Sequence, residues 1–515
     1  MKKLHILLAA ALLAAGFSSC DMEKYPYNAV EESLYMTSTT DFANARVGLY
    51  SSYRGLTTGG YILLPEMQCD DFNATVGYSN SYGNMYRWDF QSSDGNIQNY
   101  WSNYYLLIAR CNYFIDSYLK LKEGNTSFSD ADMAKIRAYV GEAYFTRAFS
   151  YFNLANHFCK AYNSASADAD LGMPLQLTYA PTSNSAVYPG RSSMKETFAQ
   201  IISDLDNAKE LVNIGLALDK GKSAINYIST DVVTALQARV ALQMKDYAAA
   251  ATAATSLIAA GKYALVNSAE TFRGMWVNDM SSEVMWQIYM SADELGSATG
   301  TSFWGQYQED PAKVTTDYIP TGKLVDLYEK NDIRFAAFFA PFTLNVATGA
   351  QGNIYMFDKY PGNPDIYTIV GVDNHYTNKS KPFRIAEQYL IAAEAYAGQG
   401  NVTEAAKYLN DLKRNRIEGY TDRTFNSADL LMAEIRDERH RELVGEGFRL
   451  SDLKRWGLGV NRQNNVQDAN LVLFPDSEIT TALEKAADDF RMVWPIPKAE
   501  TDVNPQIRNQ QNPGY

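Results

Sequence analysis

Two alanine-rich segments constrain this chain more than anything else in it. Leu236 to Ile258 and Tyr389 to Leu412 each read as a helix, a tight break and a second helix, with breaks at Lys245-Asp246 and at Gly398-Gln399-Gly400-Asn401. Ala238, Ala250, Ala254, Ala392, Ala393, Ala405 and Ala406 supply the small side chains that let paired helices approach closely, as in tetratricopeptide-type hairpins. One such hairpin cannot bury its apolar face alone, so other helices must stack on it. The sequence supplies them. Ile97, Trp101, Tyr104, Ile108, Cys111 and Ile115 recur at threes and fours between Asn96 and Tyr118, and a second stripe (Met133, Ile136, Val140, Tyr144, Tyr151, Leu154) runs from about Asp130 to His157. Ser193 and Glu196 form a capping box before a stripe of Phe198, Ile202, Leu205, Ala208 and Val212, and Thr230 or Asp231 can cap the helix after that.

The second hairpin begins about 150 residues after the first, so any superhelix is interrupted by inserted material. Two stretches break the helical pattern. Tyr61 to Gly95 is rich in Gly, Ser, Asn and Asp, and Ala264 to His375 holds strand-like pieces such as Glu283 to Tyr289. The expected fold is therefore mostly α: interrupted tetratricopeptide-like helical hairpins with an irregular inserted region containing short strands. At roughly 150 residues per domain the 515 residues would make about three units, but a repeat architecture puts them into one body.

With 46 basic and 59 acidic side chains the formal charge is −13, which argues against nucleic acid as a partner, because that affinity rests on clustered Lys and Arg releasing counterions. Met1 to Ser19 reads as a secretory signal: Lys2 and Lys3 form the positive start, and Leu4 to Phe17 is apolar apart from His5 and Gly16. Ser18 and Ser19 then meet Cys20. Two readings follow, cleavage before a lipid-bearing Cys20 or a plain secretory signal. Without Lys2 and Lys3, 44 basic side chains face 59 acidic ones, a charge of −15 that would not adhere to anionic headgroups. Cys69, Cys111 and Cys159 remain, an odd number that reads as buried free thiols. His157, His375 and His440 are scattered and no C-x-x-C occurs, so zinc is not expected.

Catalytic motifs do not survive inspection. Gly215 and Gly221-Lys222-Ser223 nearly spell a phosphate-binding loop, but five residues separate the glycines where four are required, and no strand precedes them. Asp70-Asp71 and Asp437-Glu438 are adjacent acids of the kind common on solvated surfaces, with no accompanying nucleophile elbow or H-E-x-x-H. The reading is a binding protein without enzymatic activity, cofactor or metal.

The C-terminal third carries a more specific pattern. Glu438-Arg439, Glu442, Glu446-Gly447, Arg449 and Asp452-Leu453-Lys454-Arg455-Trp456-Gly457 are followed by Trp494-Pro495-Ile496-Pro497, Glu500, Asn504-Pro505 and Gln511-Asn512-Pro513-Gly514-Tyr515. Together with Trp101, Arg110-Cys111-Asn112, Glu142-Ala143 and Arg147-Ala148, this resembles the SusD/RagB-type outer-membrane lipoproteins over essentially the whole chain after the signal. The resemblance implies one SusD-like body from 20 to 515, lipid attachment at Cys20 in place of a plain signal, and display at the outer membrane facing the cell exterior. It also implies a SusC-like TonB-dependent transporter as partner and a glycan as ligand, or a peptide as in the RagB branch. Arg439, Glu442, Glu446, Arg449 and Asp452 fall at helical spacing with opposite charges three or four apart, which suits a structural role.

Sugars present apolar faces flanked by hydroxyls, so a site needs flat rings with polar side chains beside them. Two loops have that alternation: Tyr82, Asn84, Tyr86, Arg87 and Trp88 in one, Trp304 and Tyr307 in the other. These seven are the candidate ligand-binding residues. Trp286 and Trp101 are expected in the core, and Trp456 and Trp494 in structural motifs. A surface glycosidase and a pure helical-repeat adaptor are the alternatives from other classes.

Overall fold

The apolar stripes become helices. The computed structural model describes residues 36–123, 128–212, 222–304, 316–346, 349–366, 376–462, 466–473 and 484–515. Its helices of eight residues or more are α1 (Thr39–Leu56), α2 (Gly60–Met67), α3 (Gly95–Glu123), α4 (Asp130–Phe158), α5 (Met194–Leu211), α6 (Thr230–Gln243), α7 (Tyr247–Ala259), α8 (Ala269–Val277), α9 (Ile385–Gly398), α10 (Val402–Arg414), α11 (Ala428–Leu443) and α12 (Arg449–Trp456). Helix α3 buries the expected stripe, with Trp101 in the core. Helix α5 begins at the Ser193/Glu196 capping box. Its buried face is turned from the expected one: Ile201 is fully buried and Ile202 exposed, because Asp204 must face inward to meet Arg147 at 2.6 Å. The cap of α6 is Ser229, one residue before the two candidates, since extended backbone there lets its hydroxyl accept the Val232 N–H.

Consecutive helices pack in antiparallel-hairpin fashion, α3 on α4, α4 on α5, α6 on α7 and α9 on α10. Although the two alanine-rich hairpins lie far apart in sequence, α9 packs directly on α7, and Ala238, Ala241, Ala250, Ala251, Ala254, Ala392 and Ala395 close around Ile391 in one cluster. The stack is thus continuous in space. Gly398 shows how close the approach is: a Cβ there would lie 2.5 Å from the Tyr247 ring.

The residues between α7 and α9 form the irregular half. Short antiparallel pairs join β1 (Phe72–Ala74) to β5 (Tyr318–Pro320), β4 (Val284–Trp286) to β8 (Phe383–Arg384), and β6 (Phe339–Asn345) to β7 (Gln351–Phe357); β2 (Leu171–Pro174) and β3 (Arg191–Ser193) pair beside α5. Trp286 is fully buried against Tyr53 and Phe145, and Trp494 against Tyr100 and Phe158. Cys69, Cys111 and Cys159 are buried free thiols. No described helix is long and apolar enough to cross a membrane.

The acid and base residues of the C-terminal motif are structural and tie separate elements together. The chain leaves α11 at Leu443, turns through Gly445 and Gly447 with φ of +74° and +84°, and re-enters a helix at Arg449. Their partners are correspondingly distant. Glu442 receives Arg334 at 3.0 Å, Arg384 at 2.7 Å and Arg416 at 2.9 Å, and Arg416 reaches on to Glu283 at 2.8 Å. Arg334 also meets Glu438 at 2.6 Å, and Arg384 meets Glu446 at 2.6 Å. Arg449 crosses to Asp70, and Arg439 to Asp452. Glu442 and all three arginines are essentially inaccessible to water.

Removing one member of a buried ionic cluster leaves its partners charged and unpaired. Glu442→Gln is therefore expected to destabilise the fold by about 3–5 kcal/mol in urea denaturation, whereas Lys407→Ala, which breaks an exposed pair with Glu404, costs less than about 1 kcal/mol. Burial opposes ionisation of Glu442, but Arg416, Arg384 and Arg334 outweigh it and hold its pKa well below the ordinary 4.5. Its contribution is accordingly present above about pH 4.5 and lost on acidification through the folded value, so the gap between wild type and Glu442→Gln narrows in acid.

Candidate functional site

The loop between β1 and α3 carries the first group of candidates in strained backbone. Asn80, Tyr82 and Trp88 all have positive φ, at +68°, +55° and +59°. Side chains other than glycine resist that conformation, so the surrounding contacts must enforce it. Arg87 does much of this: its Nε donates to Asp89 at 2.9 Å, its Nη1 to the Tyr78 hydroxyl and Asn80, and its Nη2 to Asn84 at 3.1 Å. The Asn84 amide in turn donates to Asp94 at 2.8 Å. Arg87 and Asn84 are thus engaged in holding the loop.

Both candidate loops lean on β5. The Tyr318 hydroxyl donates to the Ser81 carbonyl at 2.5 Å, and its ring lies 6.2 Å from Tyr78. Asp317 accepts from the Ser79 N–H and hydroxyl, while Thr316 Oγ1 donates to the Phe303 carbonyl next to Trp304. Tyr78, Tyr82 and Trp304 are all half-buried and pack against the same apolar cluster. Burial, then the Asp317 carboxylate, raises the Tyr82 pKa, so its hydroxyl stays protonated. Trp304 meets Phe342 edge-on with centroids 5.6 Å apart.

Two of the candidate rings are not presented at all. Trp88 and Tyr86 are each 1% exposed, against the expectation of loop aromatics facing solvent. The left-handed turn at Trp88 sends its ring into the core beside Met85 and Phe90, and Tyr86 lies under Tyr318 with the Arg462 guanidinium 4.3 Å over its face. Tyr307 and Cys20 lie outside the described residues.

Sequence reasoning overlooked the β6–β7 hairpin. Its signal was the alternation from Phe339 to Asn345 and from Gln351 to Phe357 on either side of a Gly-containing turn. One face of it, with Pro341, Thr343, Asn353 and Tyr355, borders an open groove of about 580 Å³, within the range of ligand sites. Trp304 is not among the residues that line the groove, but its ring meets Phe342, which does line it. A second concavity, lined by Tyr104, His157, Arg439 and Phe448, has only about 120 Å³, less than the roughly 150 Å³ that holds a benzene ring.

Asp70, Asp71 and His440 bring ligand-type atoms within 4.8 Å of one another. Both oxygens of Asp70 already accept from Arg449, at 2.8 and 2.9 Å, and Asp71 is bonded to His440. The guanidinium opposes a cation there, and the burial of both aspartates removes them from any open cleft.

Two family profiles match the chain, the SusD family over residues 266–515 and a SusD-like family described as starch-binding and associating with the outer membrane over residues 23–242. The chain belongs to the SusD family. SusD-like protein P38 of Formosa agariphila is 25% identical over 472 residues, covering 81% of this chain and 79% of that protein. SusD-like protein P2 of the same organism is 24% identical over the full length of both. Among solved structures, a SusD superfamily protein from Bacteroides thetaiotaomicron superposes with a TM-score of 0.76 at 27% identity, covering 92% of this chain and all of the other. A SusD-like carbohydrate-binding protein from Bacteroides vulgatus superposes at 0.72 with 21% identity, covering 91% and 97%.

Within this SusD-family fold Trp88 belongs to the core. Trp88→Ala is expected to cost about 3–5 kcal/mol through the cavity it leaves, measured as a fall in the thermal midpoint. A variant that melts like the wild type would show that the ring does not fill the core.

Proposed function

We propose that this protein captures glycan at the surface of the outer membrane and passes it to a SusC-like TonB-dependent transporter, without chemical change to the ligand. The observation that carries the reading is the meeting of Tyr78, Tyr82 and Trp304 on one apolar cluster, each half-buried, with Asn80, Ser79 and Asp317 beside them. Half-buried rings are fixed in place yet keep an accessible part for the apolar face of a sugar, and the neighbouring amide, hydroxyl and carboxylate suit its hydroxyls. The family's description as starch-binding and the carbohydrate-binding relative support the same class of ligand. In this reading Tyr307, next to the platform in sequence, belongs to the same surface, and Arg87 and Asn84 shape it from behind.

Trp304→Ala is expected to weaken binding of the cognate polysaccharide by about five- to thirtyfold, the loss of a stacking contact worth ~1–2 kcal/mol, with the thermal midpoint nearly unchanged. Affinity electrophoresis against a polysaccharide panel, with a peptide mixture in parallel, measures this. Normal glycan affinity in the variant would remove Trp304 from the site, binding of peptides alone would favour the peptide receptor, and release of reducing ends would favour a glycosidase.

The protein is held in the membrane by acyl chains on Cys20. Cys20→Ala should leave a folded protein that no longer fractionates with the outer membrane, because acylation requires that thiol. Unchanged retention and surface accessibility to protease would overturn the anchor.

A further inference from the structure

The groove beside the β6–β7 hairpin does not include Trp304, which meets only its lining residue Phe342, and it has a chemistry of its own. Cross-strand register places Pro341 opposite Tyr355 and Thr343 opposite Asn353, so these four share one face of the hairpin. Tyr355 is half-buried against Phe335, with centroids 5.0 Å apart, which fixes the ring at the groove wall. Gln467 ties the floor together: its amide donates to the carbonyls of Pro320 and Tyr355, both at 2.9 Å, and its oxygen accepts the Tyr355 N–H. The wall is thereby held rigid by bonds from two other segments, as a preformed ligand site requires.

Several polar groups on this wall have no partner among the described residues. Asn353 Oδ1 accepts from Thr343 Oγ1 at 2.7 Å, and the amide nitrogen Nδ2 is left over. Among the described residues the Tyr355 hydroxyl has no hydrogen-bond partner and Asp326, exposed at the rim, has no ion-pair partner. Among the described residues that line the groove there is no Lys, Arg or His.

We propose that this groove is a second carbohydrate-binding surface, which takes a neutral oligosaccharide and disfavours sulfated or uronate-bearing ones. Pro341 and Tyr355 offer flat apolar area for a pyranose face, while the Asn353 amide, the Tyr355 hydroxyl and the Asp326 carboxylate reach ring hydroxyls as donor, donor or acceptor, and acceptor. A carboxylate or sulfate on the ligand would meet Asp326 with no compensating cation, a like-charge approach that the overall charge of −13 reinforces at longer range. A peptide laid along the hairpin is disfavoured by the same geometry, since the groove is bounded by side chains on the sheet face and is not an open strand edge.

The test uses the chain without its signal, titrated calorimetrically with malto-, cello-, xylo- and mannohexaose as neutral probes and hexagalacturonate as the acidic one. The double variant Thr343→Val/Asn353→Ala changes two exposed side chains and is expected to bind at least one neutral hexaose about fivefold more weakly, with the melting temperature within about 2 °C of wild type. Asp326→Lys is expected to strengthen hexagalacturonate binding by about tenfold. Unchanged affinity for every neutral hexaose in the double variant, no binding of any of them, or wild-type binding of hexagalacturonate as tight as the best neutral probe each overturns the proposal. Because Trp304 is not in the groove, loss of affinity in the double variant with normal affinity in Trp304→Ala would sustain the groove and remove the Trp304 surface.

Discussion

Arg334, Arg384 and Arg416 sit inside this protein with no water to solvate them, and the two halves of the molecule are joined where the surrounding carboxylates neutralise them. Taking a charge out of water costs several kcal/mol, which only close, well-directed pairing offsets. Glu442 on α11 is the common acceptor for Arg334 from the irregular half, Arg384 from β8 and Arg416 from beyond α10, and Arg416 in turn donates to Glu283. A shift of α11 by one residue would separate all of these contacts at once. The cluster therefore sets the register of the signature helix against the irregular half, and through β8 and α9 it sets that half against the helical stack.

The two proposed binding surfaces inherit their geometry from this arrangement. Asp70, next to β1, is held by Arg449 of α12, and β1 carries β5, on which both aromatic loops rest. Gln467 then links β5 to β7, so the groove wall is braced from the same strand. The aromatic platform and the groove are thus two outer layers of one construction whose inner layer is ionic. Half-burial of Tyr78, Tyr82 and Trp304 is what such bracing permits: rings fixed in orientation without being removed from the surface.

Much of this was legible in the sequence wherever local chemistry decides the outcome. The two alanine-rich hairpins, the Ser193/Glu196 box and the stripe from Ile97 to Ile115 depend on residues within a few turns of one another. What could not be read depended on partners hundreds of residues away. Ile202 gave way to Ile201 because Arg147 fixes the direction of Asp204. The motif from Glu438 to Asp452 was legible as charges that fix helices against one another, but not its partners, Arg334, Arg384, Arg416 and Asp70, which lie far away in sequence. Trp88 looked like a loop aromatic because nothing nearby announces the left-handed turn that buries it. The Tyr355 wall escaped notice because its surroundings come from β6 and from Gln467.

The far reach of these contacts has a consequence for how the chain comes to be folded. Glu66, Met67, Gln68 and Asp70 find their partners in Gly447, Arg462, Trp494 and Arg449, and Phe158 accepts from Asn512, pairs that lie 354 to 426 residues apart in sequence. Helices α3 to α5 close on residues near in sequence and β1 closes on β5, whereas the contacts of α2 and the residues after it wait for the segment from Gly447 to Trp494. The slowest contacts to form are therefore those that bring the residues after α11 back onto the segment around α2, and the fold is complete only when the two have docked.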